Sequence, residues 1–185
     1  DIEGFGADGI TIHPRPDERH IRYIDALQIS KIVKSELNIE GNPIKNFMQL
    51  VLKIKPTQVT LVPDAIDAIT SNSGWDTIVH KSMLQEVVNE FKSYGIRTSI
   101  FLDPKLKFVD SVCEISPDRV ELYTEDYARE FSNDNFSIIK DYSNLTNEAQ
   151  NILHEIWKTS VFNDLERVKD LILPYITKSI PEKYV

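Results

Sequence analysis

Five short runs of β-branched and other apolar residues alternate along the chain with segments whose apolar side chains recur at helical spacing. The runs predicted as strands are residues 10–12, 37–41, 58–62, 96–102 and 119–124. The segments predicted as helices are residues 24–33, 43–54, 81–94 and 104–114. Strands that alternate with helices form βαβ units with right-handed crossovers, so the pattern predicts a parallel sheet. The apolar character of the runs suits a sheet that helices cover on one face.

Two parallel architectures fit this alternation: an open doubly wound sheet and a (β/α)8 barrel of the TIM type. The glycine patterns typical of dinucleotide and nucleotide sites follow none of the predicted strands. Polar side chains follow several strands instead: His13, Glu40, Glu121 with Thr124, and the loop 70–72. Barrel enzymes draw catalytic groups from several strand ends, whereas an open sheet gathers them at one switch point. The prediction is an α/β fold of the TIM-barrel type, incomplete because about five of its eight strands are recognisable.

A basic loop follows the first predicted strand. The strand ends at His13, and the prolines at 14 and 16 prevent continued sheet pairing or immediate entry into a helix. Four basic side chains follow within nine residues: Arg15, Arg19, His20 and Arg22. In an acidic chain such a loop indicates an anion site. A solvated loop that happens to be basic is the alternative.

Composition excludes several classes of protein. The net charge is −8 at pH 7, which argues against a general binder of nucleic acid or of anionic membranes. The single cysteine, Cys113, excludes a disulfide framework and a cysteine zinc site, and it is typical of a reducing cytoplasm. We therefore expect a cytoplasmic protein without a metal site. No methionine precedes Asp1, so we also expect that residues are missing before it.

Five motifs, in order and at matching spacing, resemble the pyridoxine 5'-phosphate synthase family, whose members are TIM barrels of vitamin B6 synthesis. They are residues 6–21 (GADGITIHPRPDERHI), 38–41 (NIEG), 58–63 (QVTLVP), 69–76 (ITSNSGWD) and 118–125 (DRVELYTE). The resemblance runs from Asp1 to about Phe131. Agreement among several separate motifs is more specific than any one of them. It implies a partial barrel over residues 1–131 and a separate C-terminal segment over residues 132–185.

The resemblance implies an enzyme that condenses 1-deoxy-D-xylulose 5-phosphate with 3-amino-2-oxopropyl phosphate to form pyridoxine 5'-phosphate, water and inorganic phosphate. Such a ring closure needs acid–base groups and phosphate sites but no cofactor or metal. By motif position, His13 and Glu40 resemble the proton-transfer residues, and Glu121 resembles a carboxylate that stabilises developing charge. The residues that resemble phosphate and substrate ligands are Arg15, His20 and Thr70. Thr70 has an alternative role as a loop cap.

The residues alone leave other roles open. A histidine that ends a strand is more often structural than catalytic, and only Arg15 and His20 at the matching spacing raise His13 above that expectation. Glu40 could be a helix N-terminal acid that the helix macrodipole favours. Glu121 could pair with Arg97 or Arg119. Small phosphorylated molecules and a second copy of the chain are the expected partners, with no nucleic acid and no membrane.

The C-terminal segment, residues 132–185, departs from the resemblance. The family's first strand, its Asn-Ala-Gly-His segment on the seventh strand and its eighth-strand phosphate site are not found in this sequence. Residues 145–176 predict two amphipathic helices instead, the first starting at Leu145. Their apolar stripes are Leu153, Ile156 and Trp157 on the first helix and Val168, Leu171 and Ile172 on the second.

Three explanations of this departure remain open: a truncated or spliced form of a full enzyme, a natural degenerate relative, or a tail that docks over an incomplete barrel or a partner chain. They lead to different functions. The first hypothesis is an active synthase. The alternative is a non-catalytic homologue that acts as an assembly or binding subunit. A third is a barrel enzyme that binds other sugar phosphates.

Overall fold

The computed structural model describes residues 2–64, 73–133 and 135–159, the last eight of these in backbone only. It contains one parallel sheet whose strands are β1 (Gly9–Ile12), β2 (Glu36–Gly41), β3 (Gln58–Leu61), β4 (Arg97–Leu102) and β5 (Arg119–Leu122). The α-helices are α1 (Tyr23–Ile29), α2 (Lys45–Ile54), α3 (Lys81–Ser93), α4 (Leu106–Ile115), α5 (Glu125–Ser132) and α6 (Ser137–Thr159). A 3-10 turn, Glu3–Phe5, precedes β1.

The strands lie in the sheet in the order in which they occur along the chain, β1-β2-β3-β4-β5. Every neighbouring pair is parallel, beginning with Gly9 opposite Glu36. A doubly wound sheet reverses its strand order at a switch point, whereas a TIM barrel keeps the order of the chain. The strand order therefore confirms a barrel-type α/β fold, and among the described residues the sheet is not closed.

The side chains of the strands alternate between an apolar core and a polar face. In β2, Leu37 and Ile39 are buried in the core, where they belong to one cluster with Phe47 of α2 and Phe91 of α3. Gly41 ends β2 where α2 crosses closely, since a Cβ there would lie 2.2 Å from the Phe47 ring. The glycine thus lets α2 pack directly behind the strand end that carries Glu40.

The opposite face of the sheet carries a hydrogen-bonded network of polar side chains. The Asn38 amide donates to the Thr11 hydroxyl over 3.3 Å, and the Thr60 hydroxyl lies 3.0 Å from Asn38 Oδ1. Near the amino ends of the strands, Arg97 and Arg119 both donate to Gln58 Oε1, over 2.9 and 3.0 Å. Because side chains alternate along each strand, every second residue of five parallel strands reaches this face. The polar network therefore extends across the whole described sheet.

The helix α6 begins earlier than the sequence predicts. It starts at Ser137, so the predicted start at Leu145 is wrong, and that residue lies mid-helix. Leu145 and Ala149 are buried in a second cluster with Leu102 and Phe108. The side chains at 152–159 and the predicted helix beyond Asn163 lie outside what the structure describes. No helix in the described ranges is long and apolar enough to cross a membrane.

Candidate active site

His13 and Glu40 lie side by side at the carboxyl ends of two neighbouring strands. Ile12 is paired in register with Ile39, so the residues that follow them, His13 and Glu40, lie opposite each other. The His13 Nδ1 atom lies 3.6 Å from Glu40 Oε2. The side chains are 20% and 26% exposed, so both are largely screened from solvent while still reachable. The structure thus brings together the two residues predicted to transfer protons.

Asp64 completes this group, although none of the recognised sequence motifs contains it. It follows β3 and Pro63, and its side chain is 3% exposed. Its Oδ2 atom lies 3.7 Å from His13 Nε2 and 3.1 Å from the Arg15 guanidinium. The Asn42 side-chain amide donates to the Asp64 carbonyl oxygen over 2.9 Å, which holds this loop against the end of β2. The available signal was its position, a carboxylate just beyond the third strand at the edge that carries His13.

Burial and neighbouring charges move both titrating groups toward neutrality. Burial raises the pKa of Glu40 to about 7, with further contributions from the charges of Glu121 and Asp64 and an opposing one from Arg15. Burial also lowers the pKa of His13, with the Arg15 charge in the same direction and Asp64 opposing. At neutral pH the imidazole is therefore uncharged while the Glu40 carboxyl group holds and releases a proton. This is the condition in which one group serves as acid and its neighbour as base.

Glu121 faces the same side of the sheet from β5. Its Oε1 atom accepts hydrogen bonds from the Thr60 and Ser99 hydroxyls, over 2.9 and 3.0 Å. Arg97 forms its ion pair with Glu36 instead, and Arg119 donates to Gln58. The alternative in which Glu121 mainly pairs with an arginine is therefore not the observed arrangement. The carboxylate is held by hydroxyl groups.

The residues of the basic loop separate into two groups. Arg15 is 11% exposed on its side chain and contacts Asp64, so it belongs to the site. Arg19 pairs with Asp17 over 3.3 Å, and Arg22 pairs with Asp25 over 2.7 Å at the start of α1. Arg22, 62% exposed on its side chain, therefore fits the solvated alternative, whereas the charge of Arg19 acts on His13.

His20, a predicted ligand, forms none of the described contacts of this group, and Thr70 cannot be placed relative to it. His20 is exposed, and its charge contributes to the lowered pKa of His13. Thr70 lies outside the described residues. Within the described ranges, no three His, Cys, Asp or Glu side chains are arranged to hold a metal ion.

A concavity of about 360 Å³ opens at the carboxyl ends of β4 and β5. Its walls are polar and carry opposite charges that pair with each other, as Lys105 does with Asp103 over 2.9 Å. The Tyr123 hydroxyl donates to Glu125, which raises the pKa of Tyr123 to about 12. The lining residues are Ser73, Asp103, Pro104, Lys105, Tyr123, Glu125, Asp126 and Arg129. This edge of the sheet therefore offers space of ligand size beside the strand that carries Glu121.

Known proteins resemble this chain over most of its length. Three relatives bear the name "Pyridoxine 5'-phosphate synthase". The protein of Christiangramia forsetii is 55% identical over 155 residues, which are 84% of this chain and 64% of that protein. The protein of Cytophaga hutchinsonii is 51% identical over 181 residues, which are 98% of this chain and 74% of that protein. The protein of Flavobacterium johnsoniae is 57% identical over 142 residues, which are 77% of this chain and 60% of that protein. The chain thus spans between 60% and 74% of the length of these relatives.

The family model described as "Pyridoxal phosphate biosynthesis protein PdxJ" matches residues 1–157. The match continues past residue 131, where the recognised motifs end, and includes α5 and most of α6. The family match over residues 1–157 spans the positions of His13, Arg15, Glu40, Asp64 and Glu121. The chain therefore belongs to the family of the pyridoxal phosphate biosynthesis protein PdxJ.

Proposed function

We propose that the chain acts as a pyridoxine 5'-phosphate synthase, which joins 1-deoxy-D-xylulose 5-phosphate to 3-amino-2-oxopropyl phosphate and releases water and inorganic phosphate. The observation that carries the proposal is the pair of His13 and Glu40. They lie 3.6 Å apart at the carboxyl edge of a barrel-type sheet, and the pKa of Glu40 is about 7. The name that the relatives bear supports this reaction over others that such a site could perform.

Ring closure proceeds through imine formation and dehydration, and each of these steps moves protons. In the proposed function, His13 and Glu40 exchange protons with the substrates. Glu40 has a pKa of about 7, and His13, whose pKa burial lowers, is a neutral imidazole that can accept a proton. Glu121, held by Thr60 and Ser99, contributes negative charge beside Glu40 and stabilises cationic intermediates. Arg15 provides a positively charged donor for a phosphate ester, because a guanidinium can bind a phosphate through two hydrogen bonds.

The test is to incubate the protein with both substrates and to detect pyridoxine 5'-phosphate by mass spectrometry. The expected result is product formation by the parent protein and by Arg22→Ala, which alters an exposed arginine that pairs with Asp25. Glu40→Gln should form little product. If the parent binds the substrates without forming product, the chain is the non-catalytic binding subunit of the alternative hypothesis. If other sugar phosphates alone raise the melting temperature, the third hypothesis holds; a hundredfold excess over Kd stabilises by about 2.7 kcal/mol.

The setting of this activity is also part of the proposal. A cytoplasmic location is consistent with the single cysteine. The net charge of −8 argues against nucleic acid as a partner, and Arg15 offers a local positive charge for a small anionic substrate. We propose that the protein forms a homo-oligomer. Light scattering during size-exclusion chromatography tests this directly, since a mass of 21.3 kDa in solution would show a monomer.

A further inference from the structure

Asp64 is the least exposed carboxylate at the site, and the proposed reaction as described gives it no role. We propose that Asp64 is a positioning residue: its carboxylate accepts the Nε2–H of neutral His13 and thereby leaves Nδ1 free to exchange a proton with Glu40. The catalytic role of Asp64 rests on the proposed function. The test of its contact with His13 does not, because that contact exists in the free protein.

The geometry places a carboxyl group at each nitrogen of the imidazole. Nδ1 lies 3.6 Å from Glu40 Oε2, and Nε2 lies 3.7 Å from Asp64 Oδ2. A neutral imidazole carries one N–H, so one nitrogen donates and the other accepts. Catalytic hydrogen bonds are often long in a free enzyme, but charges at these distances already bias the two ring nitrogens. The two neighbours therefore decide which nitrogen keeps the proton.

The two carboxyl groups differ in what they can do. Asp64 contacts the Arg15 guanidinium over 3.1 Å, and a carboxylate paired with a guanidinium only accepts hydrogen bonds. Glu40 is more exposed, and its pKa of about 7 means that it carries a proton for much of the time at neutral pH. A protonated carboxyl group donates. The arrangement that satisfies all three groups has Nε2–H directed at Asp64 and the Glu40 O–H directed at Nδ1.

This arrangement defines a balanced proton transfer. When the proton leaves Glu40 Oε2 and binds His13 Nδ1, the carboxyl group becomes a carboxylate and the imidazole becomes an imidazolium. The total charge of the pair is unchanged. The imidazolium then lies between two carboxylates, and Asp64 stabilises it as the orienting carboxylate of a Ser-His-Asp triad stabilises its histidine. The reverse transfer returns the proton to Glu40, so the pair can both give and take a proton.

Charges from several elements act on His13, and the experiment must separate them. Arg15, Arg19 and His20 face it from its own loop and disfavour its protonation, whereas Asp64, which follows β3, favours it. Glu40 faces it from β2. From β5, Glu121 acts on Glu40. Removal of the Asp64 charge takes away an interaction that opposes the loop cations, so the pKa of His13 should fall.

The test is a long-range ¹H–¹⁵N correlation spectrum of the histidine side chains, which distinguishes the two neutral tautomers. The chain has 4 histidines, and the variant His13→Gln assigns the signal. We expect the Nε2–H tautomer in the parent protein. In Asp64→Asn we expect a smaller Nε2–H fraction and a lower pKa of His13. Asp25→Asn is the matched control, because it removes a carboxylate that pairs with the exposed Arg22. It should leave the tautomer and the pKa of His13 unchanged.

An Nδ1–H tautomer in the parent protein would overturn the proposal. So would a folded Asp64→Asn protein in which neither the tautomer nor the pKa of His13 has moved. If that variant does not fold, the tautomer of the parent protein decides by itself. An Nε2–H tautomer in a protein that forms no pyridoxine 5'-phosphate would reject the proposed function and leave the positioning role intact, so the two failures are distinguishable.

Discussion

The Glu40 carboxyl group and the His13 imidazole lie 3.6 Å apart because they end neighbouring parallel strands that are paired residue for residue. In-register parallel pairing brings the carboxyl ends of strands to one edge, where their last side chains meet. The acid–base pair therefore depends on the register of β1 and β2, which the core residues Ile12 and Ile39 fix.

Replacement of Glu40 by glutamine should lower turnover by roughly 10²–10⁴, the usual contribution of one positioned proton-transfer group. Glutamine keeps the size of the side chain, so folding should be nearly unchanged. Steady-state rates with both substrates measure the turnover, and thermal unfolding measures the stability. Turnover equal to that of the parent would show that Glu40 is a structural acid.

The stability of the parent protein should fall as the pH rises through the window between the unfolded and folded pKa values of Glu40, from about 4.5 to about 7. In this window the unfolded chain has lost the proton that the folded protein still holds. The stabilisation that Glu40 contributes is therefore complete below the window and lost above it. One pKa unit corresponds to about 1.4 kcal/mol, which sets an upper limit of about 3–4 kcal/mol on the change in the free energy of unfolding.

His13 has the opposite effect on stability below pH 6.5. Because its pKa is lowered in the folded protein, the free energy of unfolding rises with pH there. Urea unfolding of the parent and of Glu40→Gln at several pH values separates the two effects. The difference between the two proteins should change steadily across the window and stay level above pH 7. A constant difference at all pH values would contradict the raised pKa of Glu40.

Replacement of Arg15 by alanine should weaken the binding of a phosphate ester by roughly 1.5–3 kcal/mol, the scale of a hydrogen bond to a charged group. The side chain is 11% exposed and already oriented by Asp64, so little order is gained on binding. Isothermal titration with 1-deoxy-D-xylulose 5-phosphate measures the effect. Arg22→Ala is the control, since Arg22 is 62% exposed on its side chain and pairs only locally. Equal affinity of Arg15→Ala and the parent would remove Arg15 from the site.

Helix α6 should be needed for a stable fold, because Leu145 is buried against Leu102 and Phe108 at the end of β4 and on α4. Replacement of Leu145 by alanine should cost about 2–5 kcal/mol of the free energy of unfolding, as is usual for buried leucines. The exposed Leu106 offers a matched control, and its replacement by alanine should change stability far less.

Deletion of residues 145–185 extends this prediction to the whole segment. Loss of the second half of α6 would expose the apolar cluster at Leu102, and we expect an insoluble product or one without a cooperative transition. A soluble deletion variant with cooperative thermal unfolding would show that the segment is an appendage.

The alternation of strands and helices could be predicted from the sequence because each run has the length and apolar pattern of its element. All five predicted strands are present, although β5 ends at Leu122 rather than at Thr124. The start of α6 could not be placed, because the polar segment 137–144 carries a weak apolar pattern and tertiary contacts with α4 and α5 stabilise it.

The site residues that lie at the end of a strand could be predicted from the sequence, whereas the one that lies further along the following loop could not. His13 and Glu40 follow apolar runs directly, so their position at the edge of the sheet could be inferred. Asp64 follows β3 after two further residues, and only the folded loop shows that it turns back to Arg15. The bonds of Glu121 to Thr60 and Ser99 depend on the register of three strands, which the sequence does not specify.

Exchange of a proton between Glu40 and His13 at neutral pH underlies both the proposed function and the role of Asp64. A ¹³C NMR titration of the glutamate side-chain carboxyl groups tests it most directly, with Glu40→Gln to assign the signal. We expect the Glu40 carboxyl group to titrate with a midpoint at about pH 7. A midpoint near the ordinary glutamate value of about 4.3 would contradict it, since Glu40 would then be a permanent carboxylate at neutral pH.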